Sequence, residues 1–416
     1  MKTKALRLYG TEDLRLEEFE LPPIGEEEML VKIIADSACM STYKASKLGP
    51  NHKRVPNNVH ENPVIVGHEF CGEIVEVGAK LAGRYRVGQK FTMQPGMKGT
   101  MEAAGYSFAY LGGNMTYAII PACYFQQENV LIYEGEGYFN AALTEPVSCV
   151  IGATYANYHT RQGEYVHDMD IKEGGTMAIL GGCGPMGFAL IDYILHRPRK
   201  PGLLLVTDVK EDNLKAAEAA LTPAEAAKNG VKLIYLNPAK SEDAMAEMMA
   251  LTDGRGYDYV FVFTPITALV EQADDLLAFD GCLNFFAGPE DTQFKAKFNF
   301  YDVHYNATHV VGTNSGNIED MKEALCMSAA GQINPALLVS HIGGLDAAGP
   351  MYLELPKLPG FKKLIYNEIS MPLTAIKDFS LKDCPLCKAL AEICGRYNGQ
   401  WSVEAETYLL QHAPKL

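Results

Sequence analysis

Four residues whose side chains commonly bind metal ions are spread over three segments of the N-terminal part of the chain: Cys39, His68, Glu69 and Glu145. A thiolate, an imidazole and carboxylates together suit a tetrahedral zinc site that keeps one position open to water or substrate. His68 and Glu69 follow a glycine in "VIVGHEFCGEIVEVG", and a glycine-rich corner can also hold a polar pair for hydrogen bonding alone. The zinc hypothesis therefore needs support from the rest of the sequence.

A second chemical signal is the glycine-rich segment "GGCGPMG", which contains Gly182, Gly184, Pro185, Met186 and Gly187. It follows the strand-like run "TMAIL" and opens the helical run "FALIDYIL", which is the context that a dinucleotide-binding motif requires. The glycines allow a tight turn and let the backbone approach a pyrophosphate at the positive N-terminus of the helix. A nucleotide-binding sheet in the same chain favours zinc over a purely structural role for the four ligand-type residues.

The nucleotide preference depends on Asp208, which lies about 20 residues after the last glycine, at the end of the next predicted strand. A carboxylate there can accept hydrogen bonds from both ribose hydroxyls, and it repels a 2′-phosphate. We therefore predict that NAD(H) is favoured over NADP(H), while the nearby Lys210 weakens that preference.

The hydrophobic pattern changes along the chain. In the first 145 residues, short apolar runs such as "MLVKIIA", "EIVEVG" and "TYAIIP" lie between glycines and prolines, which predicts a β-rich module. From Thr176 onwards, six strand-like runs alternate with helical stretches, which predicts a doubly wound parallel sheet covered on both faces. After about Asn317 come two more helical stretches, which we expect to pack back on the N-terminal module.

The overall composition is that of a soluble globular protein: 416 residues, 48% hydrophobic and 21% charged, enough for two or three domains. A net charge of −15 argues against general nucleic-acid binding. The sequence contains no apolar run of about 18 residues, so no membrane span is predicted. The N-terminus "MKTKALRLYG" lacks the apolar core of a signal peptide. The ten cysteines lie mostly in apolar surroundings, so we expect reduced thiols and a cytoplasmic protein.

Taken together, Cys39, "GHEFCGEIVEVG", "TEP", "GGCGPMG" and Asp208 resemble, in order and spacing, the zinc-dependent medium-chain alcohol and polyol dehydrogenases. The resemblance covers nearly the whole chain. It implies that the residues matching Cys39, His68, Glu69 and Glu145 form the catalytic zinc environment, with one of them able to act through water.

The same resemblance implies a domain organisation. A GroES-like β-rich catalytic domain is expected to be split in sequence, with residues 1–150 forming its first part and residues 316–416 returning to it. A Rossmann NAD(P)-binding domain with a doubly wound parallel sheet is expected over residues 151–315. The family also implies a homo-oligomer, either a dimer or a tetramer.

A closer resemblance, carried by "NPVIVGHEFCG", "GCLNFFAGP" and "NFYDVHY", is to the branch of this family that reduces keto-sugar phosphates. The reaction it implies is the reduction of L-sorbose 1-phosphate to D-glucitol 6-phosphate. Two alternatives remain open. One is a dehydrogenase of unphosphorylated polyols or secondary alcohols, and the other is a non-catalytic nucleotide-binding scaffold.

The sequence departs from the family pattern in two places. Many relatives carry four clustered cysteines after the first β module, whereas "MQPGMKGTMEAAGYSFAYLGG" contains none, so we expect one catalytic zinc and no structural zinc. The family's relay histidine is replaced by Lys44, while Ser41 keeps the hydroxyl of the catalytic segment. We therefore expect Ser41 to pass a proton to the substrate, with Lys44 or water behind it.

A phosphorylated substrate requires a cation, and "KLGPNHKRVP" supplies a cluster close after the Cys39 segment: Lys47, His52, Lys53 and Arg54. A solvated loop is the simpler interpretation of such a run. Lys362 and Lys363 are a second candidate for the phosphate site.

Overall fold

The computed structural model describes residues 1–416, which divide into two compact units. Unit 1 consists of Met1–Glu145 with Met321–Leu416, and unit 2 consists of Pro146–Asp320. None of the helices is both long and apolar enough to cross a lipid bilayer.

The strands are short, as expected for a chain punctuated by glycine and proline. In chain order they are β1 (Lys2–Gly10), β2 (Asp13–Glu20), β3 (Met29–Ser37), β4 (Val64–Ile65), β5 (Phe70–Val77), β6 (Lys90–Met93), β7 (Tyr117–Ile120), β8 (Val130–Tyr133), β9 (Tyr158–Thr160), β10 (His167–Met169), β11 (Thr176–Leu180), β12 (Leu203–Thr207), β13 (Lys232–Leu236), β14 (Tyr257–Val262), β15 (Leu277–Phe285), β16 (His309–Val311), β17 (Val339–Gly344), β18 (Lys362–Tyr366) and β19 (Thr374–Ala375).

The α-helices lie mainly in unit 2 and in the C-terminal segment. In chain order they are α1 (Met40–Leu48), α2 (Ala122–Gln126), α3 (Tyr138–Ala142), α4 (Thr144–Tyr155), α5 (Pro185–His196), α6 (Glu211–Ala220), α7 (Pro223–Lys228), α8 (Ala244–Ala250), α9 (Thr267–Asp275), α10 (Phe300–Tyr305), α11 (Ile318–Ala329), α12 (Ala348–Glu354), α13 (Pro385–Arg396) and α14 (Val403–His412).

Unit 1 is built on an eight-stranded sheet in the order β19-β17-β18-β3-β5-β6-β8, with β7 pairing with β3 beside this path. The central strand is β3, whose sequence "MLVKIIADS" is buried along almost its whole length. Such a near-continuous apolar run suits a strand covered on both faces. A smaller sheet, β2-β1-β4, completes this β-rich unit.

Unit 2 contains a six-stranded parallel sheet in the order β13-β12-β11-β14-β15-β16. This order reverses beside β11, the first strand of the sheet, as in the dinucleotide-binding fold. The six strands coincide with the six apolar runs identified in the sequence, so the prediction of a doubly wound sheet is confirmed. Its core is formed by apolar residues of β11, β12, β14 and β15 together with those of α8 and α9.

Stability at acid pH depends on His341 in β17, which is only 8% exposed. Burial, and then the charge of Lys363, lower the pKa of His341 from 6.5 to about 4, so the fold favours the neutral ring. The contribution of the neutral His341 ring to the free energy of unfolding is therefore complete above pH 6.5 and is lost as the pH falls towards 4. At one pKa unit per 1.36 kcal/mol, the loss at pH 5 is about 2 kcal/mol.

We expect His341→Gln to flatten the dependence of the unfolding free energy on pH between 6.5 and 4. Urea unfolding at several pH values measures this. The matched control is His60→Gln, whose ring is largely exposed; it should leave the slope unchanged. An unaltered slope in His341→Gln would contradict the assignment.

Candidate functional site

Three strands of unit 1 bring the candidate ligands to one place. β5 and β18 both run antiparallel to β3, so the end of β3 adjoins the beginning of each neighbour. Asp36 pairs with Phe70 on one side, and Ser37 pairs with Leu364 on the other. Cys39 follows the end of β3, whereas Glu69 immediately precedes β5 and Lys362 begins β18. The pairing register therefore places these three residues together.

The turn before β5 is built around Gly67. This residue has a φ of +88°, and a Cβ there would lie 2.1 Å from Asn114 Nδ2 and 2.6 Å from Asp36 Oδ2. Only glycine fits both the conformation and the space. The buried Asp36 accepts hydrogen bonds from the Glu69 backbone N–H (3.2 Å) and from Asn114 Nδ2 (2.8 Å), which fixes the direction in which the next two side chains leave the turn.

The structure brings three of the four predicted ligands into one cluster. Donor atoms of Cys39, His68 and Glu69 all lie within 4.8 Å of one another. Glu145, in the first turn of α4, is buried but is not a member of this group. It is near enough for its charge to raise the pKa values of Cys39 and Lys362.

The protonation states of this cluster fit a metal ion. Burial lowers the pKa of His68 to about 4, so the imidazole is neutral, which is the form that binds a metal. Burial, and then the Glu69 carboxylate, raise the pKa of the Cys39 thiol to about 12. A thiolate at this position therefore needs an added positive charge, which a divalent ion would provide. The donor set of sulfur, nitrogen and oxygen is one that zinc accepts.

A buried ion pair holds the third member of the cluster. Lys362 Nζ lies 2.5 Å and 2.6 Å from the two carboxylate oxygens of Glu69, and both residues are almost fully buried. Burial opposes ionisation of Glu69, but nearby groups, Lys362 first among them, together lower the pKa of the carboxyl. Burial likewise opposes the charge on Lys362, but nearby acidic groups, Glu69 first among them, together raise the pKa of the ammonium. The pair is therefore charged on both sides.

Hydroxyl groups surround the imidazole of His68. Thr42 Oγ1 lies 3.0 Å from its Nδ1, and Ser41 Oγ lies 3.3 Å from its Nε2. Ser41 also donates to Cys39 Sγ at 3.0 Å and accepts a hydrogen bond from Tyr106 Oη at 2.9 Å. Ser41 thus joins two of the candidate ligands to a buried tyrosine.

Tyr106 reaches this position because its loop closes tightly on the ligand turn. A Cβ on Gly105 would lie 2.1 Å from the Gly67 carbonyl oxygen and 2.9 Å from His68 Cβ. The Tyr106 hydroxyl lies 3.1 Å from His68 Nδ1. Burial raises the pKa of Tyr106 well above its usual value, so the phenol keeps its proton and can donate it in a hydrogen bond.

The predicted cations separate into two groups. Lys44 lies on α1 three residues after Ser41, and its charge contributes to the low pKa of His52. Lys362 and Lys363, the second candidate for a phosphate site, are both buried: the first pairs with Glu69, and the second donates to the carbonyl oxygens of Pro359 and Phe361. These two lysines are therefore not available as a phosphate site, because each already has buried partners.

The glycine motif of unit 2 forms the turn between β11 and α5. Gly181 has a φ of +68°, and a Cβ on Gly187 would lie 1.9 Å from the Gly182 carbonyl oxygen. Gly184 caps α5, and a Cβ there would meet nothing within 4 Å. Pro185 and Met186 form the first turn of the helix. The turn therefore leaves open space in front of the helix N-terminus, where a pyrophosphate can bind.

Asp208 immediately follows β12, the strand beside β11. Its Oδ1 accepts a hydrogen bond from the Lys210 backbone N–H at 2.9 Å, and the side chain is half-buried. Asp208 and the glycine turn thus lie at the carboxyl edge of neighbouring parallel strands, which is where nucleotides bind in open α/β sheets.

Sequence analysis missed Tyr106 and identified Lys362 only as a candidate for phosphate binding. Tyr106 lies in a loop with no motif, 38 residues from His68 in sequence, and Lys362 lies 293 residues from Glu69. No local pattern marks either contact, because both depend on distant segments meeting in the fold.

Comparison with known proteins identifies the family. A family model described as "Alcohol dehydrogenase GroES-like domain" matches residues 25–127, and one described as "Zinc-binding dehydrogenase" matches residues 204–330. Among solved structures, 2R,3R-butanediol dehydrogenase from Bacillus subtilis superimposes with a TM-score of 0.69 and 22% identity, covering 88% of this chain and 99% of that chain. The GroES-like and Rossmann folds expected from the sequence are thereby confirmed.

Three curated relatives match 99% of this chain. They are an uncharacterized protein of Escherichia coli, YggP, at 49% identity over 97% of its own length, a mannitol-1-phosphate 5-dehydrogenase of Aliivibrio fischeri at 48% over 98%, and an L-sorbose 1-phosphate reductase of Klebsiella pneumoniae at 45% over 98%. With such similarity over its full length, the chain belongs to the zinc-binding medium-chain alcohol and polyol dehydrogenases and is an oxidoreductase.

Proposed function

We propose that this protein is a zinc-dependent, NAD(P)H-dependent reductase of keto-sugar phosphates, with L-sorbose 1-phosphate as substrate and D-glucitol 6-phosphate as product. The observation that carries this proposal is the near full-length identity with two relatives named for sugar-phosphate substrates. The clustered donor atoms of Cys39, His68 and Glu69 support the metal part of it. The reverse reaction is oxidation of the polyol phosphate.

Cys39 and His68 would hold one zinc ion, with Glu69 or Glu145 completing the site directly or through water. When bound, zinc would polarise the C2 carbonyl of the sugar, and reduced nicotinamide would supply the hydride. In many relatives, a loop of the β-rich domain carries four cysteines that bind a structural zinc. The matching loop of this chain contains no cysteine, so we propose a single ion per chain.

The chain's own residues supply the proton. Ser41 carries a proton on Oγ within hydrogen-bond reach of the ligand cluster, and Tyr106 donates to that oxygen, so Tyr106 can restore the proton after transfer. Lys44, three residues further along α1, is the proposed outer member of this path. Proton transfer by such a positioned group typically contributes about 10²- to 10⁴-fold to the rate.

Gly182, Gly184 and Gly187 would bind the pyrophosphate of the nucleotide, and Asp208 would bind the adenosine ribose. We expect Asp208→Asn to raise the NADPH-to-NADH ratio of kcat/KM about tenfold, because it removes the charge that repels a 2′-phosphate at a half-buried position. The amide can still accept the hydrogen bond from Lys210, so the local turn is kept. Initial rates with both nucleotides measure the ratio. Asp212→Asn, an exposed carboxylate on α6, is the control, and an unchanged ratio in Asp208→Asn would refute the assignment.

The proposed substrate is tested by initial rates of NADH oxidation with L-sorbose 1-phosphate beside L-sorbose, and by initial rates of NAD⁺ reduction with mannitol 1-phosphate beside mannitol. A strong preference for either phosphate ester supports a sugar-phosphate reductase and identifies the sugar. Equal rates, or activity with free sugars alone, would move the protein to the polyol dehydrogenases. A protein that binds nucleotide but turns over none of these compounds would be the non-catalytic scaffold.

We also propose a homo-oligomer, a dimer or a tetramer. Strand β16 is the edge of the unit 2 sheet, and large apolar side chains near it are exposed, including Phe300 (75%) and Val310 (52%). An uncovered apolar edge strand invites pairing with a second copy of the chain. Sedimentation velocity tests this proposal, and a monomer at micromolar concentration would contradict it.

A further inference from the structure

We infer that Arg54, lying on the ring of Tyr106, is the centre of a subsite that binds the phosphate group of the substrate, with Lys53 and Lys44 adding positive charge. This inference rests on the proposed function and identifies the residue that would make the enzyme prefer a sugar phosphate to a free sugar.

Arg54 lies close to the candidate ligand cluster. The guanidinium carbon of Arg54 lies 5.5 Å from the centre of the Tyr106 ring. The hydroxyl of the same ring lies 2.9 Å from Ser41 Oγ and 3.1 Å from His68 Nδ1. A single aromatic ring therefore separates the arginine from the residues that would bind the carbonyl group. A substrate held at those residues has its phosphate within reach of this side of the ring.

Arg54 is held in place but has no acidic partner. The backbone carbonyl oxygen of Arg54 accepts a hydrogen bond from Ser107 Oγ at 2.7 Å, and the backbone N–H of Arg54 donates to His52 Nδ1 at 3.3 Å. The half-buried guanidinium takes part in a cation–π contact but in no ion pair with an aspartate or glutamate. Such a group in a protein of net charge −15 is unusual, because acidic residues are plentiful. An anionic ligand would supply the missing partner.

Several positive charges converge on His52, which lies beside the Tyr106 ring. His52 stacks on the Tyr106 ring with the two ring centres 5.6 Å apart. Burial, and then the charges of Arg54, Lys53 and Lys44, lower the pKa of this histidine to about 4. Three cations from α1 and the following loop therefore act on the half-buried His52 ring, which lies one aromatic ring away from the ligand cluster.

The chemistry of the groups fits a phosphate ester. The planar guanidinium of arginine presents paired N–H donors that match two phosphate oxygens, while lysines act as adaptable point charges around them. The second candidate for the phosphate site, Lys362 with Lys363, is buried and already bonded to Glu69 and to backbone carbonyls. Arg54 is thus the candidate that the fold leaves available.

The test compares Arg54→Gln with wild type by two separate measurements. The first is binding of inorganic phosphate to the zinc-loaded enzyme saturated with NAD⁺, followed by ³¹P NMR line broadening, so that the nucleotide occupies its own phosphate site. The second is kcat/KM with NADH for L-sorbose 1-phosphate and for L-sorbose. Arg84→Gln is the matched control, because Arg84 also lies over a tyrosine ring, at 5.3 Å from Tyr85.

We expect Arg54→Gln to weaken phosphate binding at least tenfold and to lower kcat/KM for the phosphate ester by about 10- to 100-fold, the effect of losing a charge-assisted hydrogen bond. The value of kcat/KM for free L-sorbose should fall far less than the value for the phosphate ester. Arg54→Lys should recover part of the loss, and Arg84→Gln should behave as wild type.

Two results would overturn the inference. One is that wild type does not bind phosphate, or that Arg54→Gln binds it as tightly as wild type does, even if the enzyme reduces the sugar phosphate. The other is an equal loss of kcat/KM for L-sorbose 1-phosphate and for L-sorbose in Arg54→Gln, which would mean that Arg54 only positions Tyr106. Failure of the proposed function is distinguishable: wild type would bind phosphate through Arg54 yet show no turnover of either phosphate ester.

Discussion

Replacing Cys39 with alanine is expected to remove bound zinc and to lower kcat/KM by about 10³-fold or more, with the fold intact. Its Sγ is one of three donor atoms within 4.8 Å of one another, and no other thiol belongs to the cluster. A metal that polarises a carbonyl contributes several kcal/mol of charge stabilisation, and each 1.36 kcal/mol is a factor of ten in rate. Metal analysis of the dialysed protein and initial rates measure the two effects.

The control for this experiment is Cys326→Ala, which removes an exposed thiol on α11. It should keep the zinc content and activity of wild type. Thermal unfolding of both variants separates loss of the metal from loss of the fold. Wild-type activity in Cys39→Ala would exclude the proposed metal mechanism, since His68 with one carboxylate, from Glu69 or Glu145, provides too few ligands for a tightly bound zinc.

Replacing Lys362 with methionine is expected to destabilise metal-free protein by about 3–5 kcal/mol, because it leaves the Glu69 carboxylate buried without a counter-charge. Both oxygens of that carboxylate contact Lys362 Nζ, and Glu69 is only 1% exposed. Urea unfolding in the presence of a chelator measures the loss. Addition of zinc should reduce it, because the ion supplies a positive charge beside Glu69.

The neighbouring lysine provides the matched control. Lys363 is also buried, but it donates to two backbone carbonyls and not to a carboxylate, so Lys363→Met should cost less. The double variant Lys362→Met, Glu69→Gln should recover part of the stability lost in Lys362→Met, because the unpaired charge is removed. A loss below about 1 kcal/mol in Lys362→Met would mean that the carboxylate is neutral or solvated in that variant.

The fold class could be predicted from sequence because its signals are local. The six apolar runs that became β11 to β16 alternate with helices, and the turn that begins α5 must contain glycine where a Cβ on Gly187 would meet a carbonyl oxygen at 1.9 Å. Each of these features is set by a few neighbouring residues. Periodicity and steric demand therefore appear directly in the sequence, and the structural comparison bears out the result.

The choice of Cys39, His68, Glu69 and Glu145 as one zinc environment came from residue type and family resemblance. The chain supplies the donor types by itself, but the distances among Cys39, His68 and Glu69 follow from the antiparallel pairing of β3 with β5, and Glu145 lies on α4 outside that group. Their metal-binding role stays a prediction until zinc is measured. The same holds for Ser41, Lys44 and Asp208, whose positions the structure gives and whose functions the proposed experiments test.

The alternation of strands and helices, the glycine turn, and the supply of thiol, imidazole and carboxylate groups can all be predicted from sequence, because each depends on residues close together in the chain. Contacts between distant segments bring Lys362 to Glu69, 293 positions away. They also bring the Tyr106 hydroxyl to Ser41 and the ring of Tyr106 to Arg54. The physical reason is that buried charges and hydroxyls need partners wherever the folded chain supplies them, and strand register, not sequence distance, decides which partners are near.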